Sequence, residues 1–82
     1  MLLTIGSITT ATRAVTIIER HTKVRGQIIH TPRELNKGGC SYSIRYPASL
    51  EGELRKIVND YKIPIKKWFG EVTEGRGYND LS

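Results

Sequence analysis

Tyr42-Ser43-Ile44-Arg45-Tyr46 is the stretch on which the fold turns. Tyr42, Ile44 and Tyr46 alternate with Ser43 and Arg45, the period-two signature of a half-buried strand. Pro47 ends it, since proline cannot donate to a sheet ladder. Upstream, Gln27 to Thr31 reads as another strand, stopped in the same way at Pro32. Two strands thus follow one another with only the segment Pro32 to Ser41 between them. That segment is long for a simple hairpin, and loops of such length in compact domains are often functional.

Further out, each strand is flanked by helical patterning. Met1 to Ile5 is an apolar run ending at Gly6, suited to a central strand entering a tight turn. Ser7 or Thr9 can cap a helix in which Ala11, Ala14, Val15 and Ile18 form one buried stripe, ending near Thr22. On the other side Ser49 is placed to cap a second helix with the stripe Leu50, Leu54, Ile57, Val58 and Tyr61, and with Glu51 and Arg55 paired on its wet face. Pro64 closes the connection, Ile65 to Val72 reads as a fourth strand carrying Trp68, and residues 75 to 82 show no periodicity and read as a mobile tail after a single domain spanning 1 to 74. The order β, α, β, β, α, β predicts an α+β, ferredoxin-like two-layer sandwich, with two helices on one face of an antiparallel sheet.

At 82 residues the chain is one small domain, for which oligomerisation would be an unsurprising aid; monomer and homodimer both remain open. Hydrophobic content of 38% and charged content of 26% describe an ordinary folded protein, not a disordered one. No stretch approaches the roughly 20 apolar residues of a membrane span. A single cysteine forms no internal disulfide and the first residues lack signal-peptide features, so a reducing, cytoplasmic setting is expected. The net charge of +5 is compatible with nucleic acid, an acidic protein or a small anionic ligand, or with a plain solvated surface.

The one cysteine, Cys40, lies inside the long segment, after Lys37, Gly38 and Gly39 and before Ser41, with Arg33 upstream. Cations and free backbone N–H groups favour a thiolate over a thiol. The competing reading is an inert apolar cysteine. In the expected sandwich the end of the first strand, the start of the first helix and the loop after the second strand share one sheet end. Gly6, Ser7 and the helix N-terminus would then stand near Cys40, where unsatisfied donors suit an anion, and the Gly38-Gly39 backbone offers a small anion nest. Glu34 opposes thiolate formation or, as a proton acceptor, assists it.

Thr31-Pro32-Arg33-Glu34-Leu35 followed by Gly39-Cys40, after a first βαβ segment, resembles the small bacterial selenium/sulfur carrier-like proteins. The resemblance covers the chain to about Trp68 and implies a cytoplasmic, non-catalytic protein that carries sulfur or selenium on Cys40 as a persulfide or selenosulfide. It implies donor and acceptor proteins as partners, and no cofactor apart from the carried atom. Its pattern often has glycine directly after the cysteine; here Ser41 stands there and the glycines precede.

Four other readings bear on the same residues. His21, His30 and Cys40 lack the paired spacing of a metal site, and no phosphate loop or Ser/His/Asp arrangement supports hydrolase or phosphoryl-transfer chemistry. A basic RNA-binding module shares the element order and would use Tyr42 and Tyr46 to stack bases, but the first strand supplies no aromatic. An interaction module pairing through an edge strand is compatible with a domain this small.

Overall fold

The computed structural model describes residues 1–31, 42–71 and 78–81. The chain folds as an α+β sandwich. Its elements are β1 (Leu2–Ile5), α1 (Ile8–Thr22), β2 (Gln27–His30), β3 (Tyr42–Arg45), α2 (Glu51–Tyr61), β4 (Lys67–Glu71) and β5 (Tyr78–Asp80). The sheet order is β2-β3-β1-β4-β5, with every neighbouring pair antiparallel. The first four strands follow the expected ferredoxin-like order.

The apolar run Leu2–Ile5 takes the centre because both its edges can be satisfied: it pairs Leu3 with Ile44 on one side and with Trp68 on the other. Leu3, Ile5, Ile44, Tyr46 and Trp68 meet the helix stripes Ala11, Ala14, Val15, Ile18 and Leu54, Ile57 in one core. Burying a side chain of this size is worth roughly 1.5–3 kcal/mol. That packing carries α1, whose five threonines lower its intrinsic propensity.

Local chemistry sets the helix ends. Ser7, in extended conformation, caps α1 by accepting from the Thr10 N–H at 3.2 Å. Both helices stop on a lysine in the left-handed region, Lys23 at φ 63° and Lys62 at φ 52°, where glycine is the usual occupant. The Lys23 N–H returns to the Glu19 carbonyl at 2.9 Å, and the Ile63 N–H to that of Val58 at 3.0 Å.

Three expectations need correcting. Ser49 does not cap α2; it lies within a single 3-10 turn, Ala48–Leu50, and the helix starts at Glu51 after Leu50, with no side-chain cap. Tyr61 is not on the buried stripe but 44% exposed, with its hydroxyl 2.8 Å from His21 Nε2. Tyr78–Asp80, in the part read as a tail, is a fifth strand on β4, pairing Phe69 with Asp80 and Gly70 with Asn79. Beyond it the Leu81 N–H donates to the Trp68 carbonyl at 2.7 Å. Arg55 lies over the Trp68 ring at 4.6 Å, holds Glu51 at 3.0 Å and donates to the Leu81 carbonyl at 3.2 Å.

Candidate functional site

The register fixes one end of the sheet. Ile5 at the end of β1 pairs with Tyr42 at the start of β3, and Tyr42 pairs with His30 at the end of β2. One row therefore joins the turn into α1 to both stems of the segment 32–41. The stems are held on both faces of the sheet. On the helix side the His30 and Tyr42 rings lie 5.4 Å apart at 30°. On the other side the hydroxyls of Thr31 and Ser43, both buried, share a hydrogen bond of 2.9 Å.

The turn from β1 into α1 continues this end. Ser7 caps the helix and its hydroxyl donates to Thr10 Oγ1 at 2.9 Å. Helix geometry leaves the N–H groups of Ile8 and Thr9 without partners inside the helix, and no acidic residue occupies the first turn. A methyl group added to Gly6 would sit 3.2 Å from Cε of Lys66. The Lys66 side chain therefore runs beside this turn, and it lines a small cleft with Ile5, Ser7, Thr10 and Ile65. A cation, a helix N-terminus and the absence of first-turn acids make this edge favourable to negative charge.

Of the sequence-derived site residues, Gly6 and Ser7 are in this turn. Arg33, Glu34, Lys37, Gly38, Gly39, Cys40 and Ser41 lie outside the described residues. Thr31, Ser43 and Lys66 escaped sequence reading. Lys66 had a signal: an antiparallel fourth strand beside the first must begin where the first one ends, bringing its leading lysine to Gly6. Thr31 and Ser43 had a weaker one, as the two small hydroxylic residues bracketing the segment on the face opposite Tyr42 and Ile44.

The described side chains also bear on the other readings. Tyr46 is only 2% exposed and belongs to the core, so it is no stacking platform for a base. Its hydroxyl makes no well-formed hydrogen bond, although the Gly26 backbone lies against it. Burial, with the nearby Glu19 charge, pushes its pKa up to about 12, against partial relief from the Gly26 N–H and Arg25. Tyr42 is half-buried against His30. Among the described residues no three His, Cys, Asp or Glu side chains gather where they could hold a metal ion, and no helix is long and apolar enough to cross a membrane.

Residues 1–69 match the family model described as "Putative Se/S carrier protein-like". The chain belongs to that family. The match takes in β1 to the middle of β4, and with them the segment that contains Cys40. No curated protein and no solved structure was found to match the chain.

Proposed function

We propose that the protein is a non-catalytic carrier that holds one sulfur or selenium atom on Cys40, as a persulfide or selenosulfide, and passes it from a donor protein to an acceptor protein. The observation that carries this reading is the family match across residues 1–69, within which Cys40 is the only cysteine of the whole chain. Thiol-borne cargo has no other residue to ride on.

The geometry at the sheet end supports the same reading. Cys40 is two peptide units from Tyr42, a tether of at most about 7.6 Å between Cα atoms. Tyr42 pairs with Ile5, and the turn to Ser7 and the Lys66 ammonium follows directly. A persulfide is anionic near neutral pH, and the helix N-terminus with Lys66, together with Arg33 and Lys37 of the segment itself, supplies charge of the opposite sign. Transfer needs no external oxidant: the Cys40 thiolate attacks the outer sulfur of a donor persulfide, the donor's S–S bond breaks, and the donor leaves as its thiolate. A selenosulfide donor reacts in the same way at selenium. The carried atom is cargo, so the reading includes no resident cofactor, and a reducing compartment such as the cytoplasm keeps the thiol free between loads.

The test is intact-mass analysis after incubation with glutathione persulfide, or with selenodiglutathione for selenium. The parent should gain one chalcogen-bearing adduct and Cys40→Ser none, since an alcohol neither ionises near pH 7 nor forms a stable bond to a second chalcogen. Arg33→Ala with Lys37→Ala should load less while unfolding at the same urea concentration. Loading of Cys40→Ser, or no loading of the parent, overturns the assignment.

A further inference from the structure

We propose that the outward face of α1 is the docking surface for a partner protein that presents an acidic amphipathic helix. This rests on the carrier reading, because it names the kind of protein that would approach the Cys40 end of the sheet. A shallow groove there is lined, among the described residues, by Ile8, Thr12, Arg13, Thr16, Ile17 and Arg20.

Its chemistry is unusual for a helix surface. Exposed helix positions ordinarily favour long polar side chains, yet Thr12 and Thr16 stand on this one. Thr12 donates to the Ile8 carbonyl at 2.9 Å and Thr16 to the Thr12 carbonyl at 3.1 Å. Both hydroxyls are therefore satisfied within the helix, and covering them orphans no polar group. Two small side chains also give low relief, so that a second helix can approach closely. Beside them Ile8 is 46% exposed, and Ile17 is half-buried between Arg13 and Arg20.

The arginines decide the occupant. Arg13 and Arg20 are exposed and form no ion pair among the described residues, and the only acid of α1, Glu19, is engaged by Arg25 at 3.3 Å. Seven residues apart, they stand about 10 Å from each other along the axis on one side of the helix. A partner helix with carboxylates one heptad apart and an apolar side chain between them matches both charges and covers Ile17. A second copy of this chain would set arginine against arginine. The groove begins at Ile8, directly after the Gly6-Ser7 turn, so a helix seated in it reaches the end of the sheet where β2 and β3 release the segment bearing Cys40.

The test uses the isotopically labelled full chain and a synthetic helical peptide with two glutamates seven residues apart flanking leucine, titrated by NMR at low salt. Amide shifts should cluster at Ile8, Thr12, Thr16 and Ile17, and a peptide of equal charge with the glutamates three residues apart should bind more weakly. Arg13→Glu with Arg20→Glu should weaken binding about tenfold or more and transfer preference to the peptide with lysines in place of glutamates. Arg13→Gln with Arg20→Gln gives the intermediate case if charge reversal disturbs folding. Shifts centred elsewhere, equal affinity for both spacings, or a dimer of the chain formed through α1 would overturn the proposal. Loading of Cys40 from glutathione persulfide needs no partner, so the arginine variants should load like the parent. Failure of the parent to load overturns the carrier reading alone.

Discussion

Thr31 and Ser43 share a buried hydroxyl pair, 2.9 Å apart, at the point where the chain leaves β2 and returns into β3. Either hydroxyl without the other is a buried polar group lacking this partner. Thr31→Val and Ser43→Ala should therefore each destabilise the domain by about 1–3 kcal/mol. The double variant should cost less than their sum, with a coupling of about 0.5–1.5 kcal/mol. Urea unfolding of the four proteins measures the cycle, and strict additivity would mean that the pair does not hold the stems together.

Gly26 is small because of what faces it. A Cβ there would drive into the Tyr46 ring and the Ile44 side chain. Gly26→Ala should cost about 1–3 kcal/mol through overpacking. The expected outcome is a lower urea midpoint at an unchanged slope.

Tyr46 gives a pH signature with a definite sign. Its folded pKa, pushed up to about 12, lies above the ordinary 10.0 that it regains on unfolding, so folding favours the neutral phenol. Its contribution is fully present below pH 10 and is lost as pH rises towards 12. Tyr46→Phe should flatten that decline. At neutral pH it should change stability by less than about 1.5 kcal/mol, because the hydroxyl it removes has no well-formed partner.

The left-handed lysines at the helix ends predict the opposite direction. Lys62→Gly should raise stability by up to about 1 kcal/mol, because glycine adopts that backbone without a Cβ penalty. Lys23→Gly should behave alike. Thermal melts read both.

Under the carrier reading, the alkylation rate of Cys40 against pH should report a thiol pKa below the roughly 8.5 of a free cysteine. Lys66→Gln should raise it by a few tenths of a unit, as expected for one exposed charge screened by salt. A thiol of ordinary pKa, or one indifferent to Lys66, would remove the electrostatic support for the carrier site.

What could be read from the residues was whatever one element decides for itself. Ala11, Ala14, Val15 and Ile18 announce α1 through spacing, and Tyr42, Ile44 and Tyr46 announce β3 through alternation, so element order and the sandwich followed. The capping of α2 did not, because Ser49 and Leu50 compete as the last residue before the helix and the 3-10 turn at Ala48–Leu50 settles the choice. Tyr61 fits the apolar stripe of α2, yet its hydroxyl finds His21 across the helix pair. Tyr78–Asp80 carries no strand pattern and pairs because β4 offers a free edge. The site divides in the same way. The sequence marks Cys40 and its charged neighbours, whereas the Thr31 and Ser43 hydroxyls and the Lys66 side chain arrive from three separate places and are brought to one sheet end only by strand register.

The central position of β1 has a consequence during synthesis. Its two partners are β3, some 40 residues downstream, and β4, which starts at Lys67. At about 5–20 residues per second, a ribosome needs roughly 3–13 s to travel from Ile5 to Glu71. Until Arg45 is made Leu2–Ile5 has a partner for neither edge, and for the rest of that interval the edge that will pair with β4 stays open. The strand made first is thus the last to be enclosed, and the nascent chain must keep the open edge of its most apolar run from other strands until the fourth one appears.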